Sequence, residues 1–236
     1  MHPRLVTNTG SSPCKNGEPW ETQQVIKSAA NVLATSEQRP TVFIVDDDPD
    51  IRRVIAVLVR SINIHAETCA SAKEFLGLYD SHTLGCVVVD MRMPETSGLE
   101  LQKHLAVQGF TIPLIFLSGH GDVLIATEAI RAGAVDFLLK PFSPQRLLER
   151  ISEAIALDRR YQRSRIIRTE FRRRIARLTV RQLEIMELLA TGASAKEIAM
   201  LLKLSPKTVD NHRANILEKL ELDNTVHLAR AMVDIH

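Results

Sequence analysis

Four short stretches of this 236-residue chain end an apolar run in a side chain suited to handling a phosphoryl group. Asp46-Asp47 follows Thr41-Val42-Phe43-Ile44-Val45, Asp90 follows Val87-Val88-Val89, Ser118 follows residues 114–117, and Lys140 follows residues 135–139. Clustered carboxylates suit a hard divalent cation, which for a phosphate substrate is Mg²⁺. One carboxylate, Asp90, can attack phosphorus to form an aspartyl phosphate. An ammonium (Lys140) and a hydroxyl (Ser118) can then stabilise charge on the phosphoryl oxygens. A single Asp after a strand is more often a plain strand end or a cap for the next helix. Four such ends with complementary chemistry, in chain order, point to one site.

Those residues meet only if the apolar runs are neighbouring strands. Three consecutive β-branched residues, Val87 to Val89, read as a strand buried on both faces. With Thr41–Val45 and the runs at residues 64–68, 114–117 and 135–139, there are five strands. Ile51, Val54, Ile55, Leu58 and Val59 fall at helical spacing behind Pro49, a favourable first helical residue. Further helices are expected at residues 72–79, 98–107, 123–131 and 144–155. This alternation predicts an α/β domain over residues 41–156, a five-stranded parallel sheet with helices on both faces. The carboxyl edge of such a sheet is where ligands bind.

Neither Pro nor Gly interrupts residues 145–181, so the last helix of the sheet domain is expected to continue as a linker helix. Ten arginines between Arg159 and Arg181 face one acid, Glu170. The last sixty or so residues read as helical throughout. Leu178-Thr179 opens one segment, Gly192 closes it, and Ser194 and Ser205-Pro206 open the next two. A helix at residues 195–203, a tight turn and a helix at residues 206–220 form a helix-turn-helix arrangement. The second of these buries Val209, Ile216 and Leu220 and turns Lys207, Asp210, Asn211 and Ala214 outward.

The composition, 45% hydrophobic and 25% charged, is that of a soluble chain with two small domains. Cys14, Cys69 and Cys86 lack metal-type spacing and are odd in number, which argues against a disulfide framework or zinc site. No apolar run reaches membrane-spanning length and the N-terminus lacks an apolar signal core, so a cytoplasmic protein with no membrane partner is expected. The net charge of +2 hides an asymmetry: the chain from Arg159 onward carries +7 and residues 1–158 carry −5. The basic part suits nucleic acid, and the acidic part suits a metal or phosphate site. Residues 1–40 are expected to be a mostly flexible extension with one short helix, on which Trp20 is the lone tryptophan.

Val45-Asp46-Asp47, Asp90-Met91-Arg92-Met93-Pro94, Ser97-Gly98, Leu117-Ser118-Gly119-His120-Gly121-Asp122 and Lys140-Pro141-Phe142 resemble the receiver domain of two-component response regulators. The resemblance implies a flavodoxin-like, doubly wound fold in which Asp90 accepts phosphate from a cognate sensor histidine kinase, assisted by Ser118 and Lys140. It implies Mg²⁺ held by Asp46, Asp47, Asp90 and the backbone carbonyl of Arg92, a switch pair Ser118 and Phe137, and a cis peptide before Pro141. Glu95-Thr96 replaces a more usual Gly-containing turn.

Leu178-Thr179-Val180-Arg181, Lys196-Glu197-Ile198-Ala199 and the run from Leu204 to Ile216 resemble the four-helix LuxR-type DNA-binding domain of the NarL/FixJ subgroup. Gln182 stands where that family usually has Glu, and Ala195 where Asn is frequent. Double-stranded DNA would meet Lys196, Lys207, Thr208, Asn211 and Arg213. The implied plan is an extension at 1–40, a receiver at 41–156, a helical linker at 157–173 and an all-α DNA-binding domain at 174–236. The expected function is a phosphorylation-dependent transcriptional regulator that is not a dedicated enzyme. It would dimerise on phosphorylation or on DNA, with RNA polymerase as a further partner. One alternative is a receiver that controls DNA binding without phosphorylation. Another is a metal-dependent phosphotransferase, against which stand Arg92 at the place of a second acid and the lack of a cap domain.

Overall fold

The computed structural model describes residues 38–119 and 123–235. The expected N-terminal extension up to residue 37, Trp20 included, and the His120-Gly121-Asp122 stretch lie outside them. The described residues divide into two packed units, one up to Arg173 and one from Arg174 onward.

In the first unit, β1 (Thr41–Val45), β2 (His65–Cys69), β3 (Gly85–Asp90), β4 (Leu114–Ser118) and β5 (Asp136–Leu139) form one sheet. All pairings are parallel and the order is β2-β1-β3-β4-β5. The helices are α1 (Pro49–Ser61), α2 (Ala72–Leu78), α3 (Gly98–Val107), α4 (Val123–Arg131) and α5 (Pro144–Ile175). Period-two alternation sorts the strand residues between two cores. Phe43, Val45, Val87, Val89 and Phe116 pack with α2, α3 and α4, while Val42, Ile44, Val88, Ile115 and Leu117 pack with α1 and α5. All six residues of β3 are buried. Each fully buried Val or Ile stabilises the fold by about 1.5–3 kcal/mol relative to exposure, so a run of this kind belongs in the sheet centre. The chain leaves β1 towards β2 and returns to β3 on the other side, which opens a crevice at the carboxyl ends of β1 and β3.

Local signals set the helix starts. Asp48 accepts from the amides of Asp50 and Ile51 ahead of Pro49, and Ser97 with Glu100 forms a capping box for α3. Gly98 is required by contact, because a Cβ there would lie 2.6 Å from the Asp90 carbonyl oxygen. Glu95, in the preceding loop, has φ of 66°, a left-handed conformation that costs a non-glycine residue about 1 kcal/mol or more.

Helix α5 continues past the sheet unit's apolar packing and ends at Ile175, ahead of the segment that Leu178-Thr179 opens. The Thr179 side chain accepts from the Gln182 amide, and Gln182 reaches back to Thr179. That capping box starts a new helix without any Pro or Gly. Apolar contact of α5 with the sheet ends near Ile155, yet its polar attachment goes further. Asp158 accepts from the Gly85 amide at 2.9 Å, Gln162 donates to the Thr83 carbonyl at 3.1 Å, and Arg165 donates to the Ser81 carbonyl at 3.2 Å.

The second unit contains α6 (Val180–Ala190), α7 (Ala195–Leu202), α8 (Pro206–Leu220) and α9 (Thr225–Ile235). Its core is built from Ile185, Met186, Leu189, Ile198, Val209, Ile216, Leu220 and Leu228. Gly192 follows α6 at φ of 88°, the left-handed stop expected of it. Among the described residues no helix is long and apolar enough to cross a membrane.

Candidate functional site

Three of the four strand-end groups meet at the sheet's carboxyl edge. Lys140 Nζ lies 2.6 Å from Asp90 Oδ1 and 2.7 Å from Asp46 Oδ2. The other Asp90 oxygen, Oδ2, accepts from the Arg92 amide at 2.6 Å. Asp46 is fixed as well, its Oδ1 accepting from the Asp48 amide at 2.9 Å, and Arg52 donates to its carbonyl at 2.6 Å. Asp46 is 1% exposed and Asp90 7%. Burial pushes the Asp46 carboxyl above the ordinary range, against the lowering effect of Lys140 and the Asp48 amide. Burial alone would pull the Lys140 ammonium down, but its hydrogen bonds to Asp46 and Asp90 outweigh this and leave it raised.

Ser118 is buried beside them at the end of β4, and its carbonyl accepts from the Lys140 amide at 2.7 Å. The peptide between Lys140 and Pro141 is cis. Phe137 is half-buried and lines a groove with Val123, Ile130, Leu139 and Phe142. Asp47 is exposed. Among the described residues no three acidic, His or Cys side chains are grouped to hold a metal ion, and the Lys140 ammonium bridges Asp46 and Asp90. The donor set is nonetheless all-oxygen and anionic, with one carboxylate already held at a desolvation cost that a cation would offset, so it fits a hard divalent ion.

The second candidate site is the pair α7 and α8. Ser194 caps α7 in a box with Glu197, and Lys203 ends it at φ of 56°. Ser205 opens α8, its hydroxyl accepting from the Thr208 amide at 3.1 Å. Val209, Ile216 and Leu220 are buried, and Lys207, Asp210, Asn211 and Ala214 are exposed, as the helical spacing required. Lys196 is exposed on α7. Thr208 is half-buried and its hydroxyl lies 2.8 Å from that of Ser205, so it serves the cap. Arg213 pairs with Asp210 at 3.2 Å on the outer face.

The two arrangements match known families in chain order. A family model for the response regulator receiver domain matches residues 42–152, and one for bacterial regulatory proteins of the luxR family matches residues 176–232. The transcriptional regulatory protein TdiR of Thauera aromatica is 43% identical over 185 residues, spanning 78% of this chain and 82% of TdiR. The chain belongs to the response regulator family. It is also similar to the response regulator protein TodT of Pseudomonas putida, 38% identical over 83% of this chain and 86% of TodT. The solved structure of the response regulator StyR covers 83% of this chain and 98% of its own at 36% identity and a TM-score of 0.70.

Several contacts of this response regulator escaped the sequence reading. Arg52 reaches the Asp46 carbonyl from the first turn of α1, and only its spacing six residues on from Asp46 signals it. Gln182, at a place usually Glu, is buried and accepts from Lys219 at 2.8 Å. Arg174 was one of many arginines in sequence, and the fold singles it out by burying it.

Proposed function

We propose that Asp90 is the phosphoacceptor of this receiver and that its phosphorylation by a sensor histidine kinase controls DNA binding by α7 and α8. The observation that supports this best is the asymmetric hold on Asp90. One oxygen is fixed by the Arg92 amide and the other rests on an ammonium, so the nucleophile is oriented while its negative charge is balanced. A carboxylate oxygen attacks phosphorus, the bond from phosphorus to the donor's imidazole nitrogen breaks, and that nitrogen leaves with the electron pair. Lys140 neutralises charge on the phosphoryl oxygens and the Ser118 hydroxyl donates to one of them. Asp46, Asp47, Asp90 and the Arg92 carbonyl would hold Mg²⁺, which supplies further positive charge against those oxygens. Ser118 and Phe137 form the switch that reports the new group.

On this reading the receiver spans 41–156, the linker 157–173 and the DNA-binding domain 174–236, with residues 1–40 an extension. Lys196, Lys207 and Arg213 meet backbone phosphates, Asn211 reads a base edge in the major groove, and Thr208 holds the start of α8. Two copies dimerise on paired half-sites and engage RNA polymerase in the cytoplasm. The protein takes part in its own phosphorylation without being a dedicated enzyme.

The test is incubation of the full chain with acetyl phosphate and Mg²⁺, followed by mass measurement and duplex binding. One phosphoryl group on Asp90, with a changed DNA affinity, is expected. Unmodified Asp90 alongside intact DNA binding would favour a receiver that acts without phosphorylation.

A further inference from the structure

Among the described residues the bulkiest of the fully buried side chains is a charged one, Arg174, 1% exposed in the second unit. Burying a guanidinium is costly unless it is paired and hydrogen-bonded. Arg174 Nη1 donates to the carbonyl of Leu220 at 3.2 Å, and Nη2 lies 3.0 Å from a Glu221 carboxylate oxygen. Leu220 is the last residue of α8, and Glu221 ends that helix in the left-handed conformation at φ of 55°.

The end of a helix presents carbonyls without an intrahelical partner and gathers the negative pole of the helix dipole. A cation there satisfies both. It does not follow that the charge is kept for stability. Buried ion pairs are commonly neutral or inferior to apolar side chains of the same volume, whereas they hold their partners in one geometry. Here the partner is the helix that carries Asn211, and a second tie acts on the same end: Lys219 donates to Gln182 at 2.8 Å.

Resting on the DNA-reading role of α8, we propose that Arg174 is a positioning residue for sequence recognition. It fixes the C-terminal end of α8 so that Asn211 meets its base edge in register. Asn211 lies two turns and more from Leu220, roughly 14 Å along the axis at 1.5 Å per residue. A tilt of about 5° about that end moves it by ~1 Å, and site geometry tolerates only about half of that. Lysine and arginine contacts to phosphates follow such a shift more easily, since they carry no sequence information.

The experiment uses the full chain treated with acetyl phosphate. Random duplexes are enriched on the wild-type protein, and affinities are measured for one enriched duplex and a scrambled one. Arg174→Met keeps volume and apolar packing. Its affinity for the enriched duplex should fall about tenfold while the scrambled duplex changes less than about twofold. A purely stabilising role would lower both affinities by the same factor, the fraction of competent protein, and leave their ratio unchanged. A folded Arg174→Met chain with the wild-type ratio would therefore overturn the proposal. Arg174→Lys keeps the charge and loses the fork, so its ratio should fall between the two. Should the Met variant not fold, a wild-type ratio for Arg174→Lys overturns it instead. A wild-type chain that enriches no sequence brings down the DNA-reading role itself, and this proposal with it.

Discussion

Buried charge is used in two ways in this protein, and the two ends of β3 show the contrast. At its carboxyl end Asp90 is held partly by another side chain, Lys140, which it shares with Asp46. At its amino end Asp158 holds the backbone amide of Gly85, with Gln162 bonded to the same oxygen. Arg174 under α8 resembles the second case, since it is bonded to a main-chain carbonyl. A side-chain partner at an open sheet edge can be exchanged for a metal or a phosphoryl group. A backbone partner cannot move without the element it belongs to, so that arrangement places a helix rather than performing chemistry.

The sharpest way to break this contrast is at the reactive end. Asp90→Asn should lose all labelling by a small-molecule phosphodonor, because an amide is a poor nucleophile. Labelling at the wild-type level, read by mass, would move the acceptor elsewhere.

The structural end should respond in stability instead. Asp158→Ala leaves the Gly85 amide buried without its acceptor, a cost of about 1–3 kcal/mol in urea unfolding. Burial pushes the Asp158 carboxyl above the ordinary carboxylate range, despite the bonds from Gly85 and Gln162. A carboxyl raised on folding binds its proton more tightly in the folded state. Its contribution is fully present below the unfolded value and is lost as pH rises through the folded one. Asp158→Asn should therefore lose less stability than wild type between mildly acidic and neutral pH. Identical pH slopes would mean that Asp158 is not the group responsible.

Smaller effects are expected where side chains face solvent. Asn211→Ala should weaken an enriched duplex by roughly tenfold, within the 1–3 kcal/mol of one good base contact, and leave a scrambled duplex nearly unaffected. Equal weakening of both in a binding titration would make Asn211 a phosphate contact. The smallest change expected is at Lys203, whose φ of 56° favours glycine. Lys203→Gly should raise the unfolding free energy by about 0.5–1 kcal/mol, and a loss would show that the Lys203 side chain contributes more than its backbone costs.

Much of this architecture is legible in adjacent residues. Val87-Val88-Val89 reads as a strand buried on both faces, and it lies in the central strand of the sheet. Ser97 with Glu100 and Ser194 with Glu197 are caps within one turn. The outward set on α8 follows from a period of 3.6 residues. The strand-end acids, hydroxyl and amine could be assigned to one edge because parallel topology brings successive strand ends together. What no local pattern determines is which side chains meet across the chain. Lys140 reaches back 94 positions to Asp46 and 50 to Asp90. Asp158 meets Gly85 across 73 positions, and Arg174 meets Leu220 across 46. In sequence Arg174 is one of three consecutive arginines. Only packing removes it from water, whereas its neighbours Arg172 and Arg173 on the same helix are exposed, and a charge removed from water needs a fixed partner.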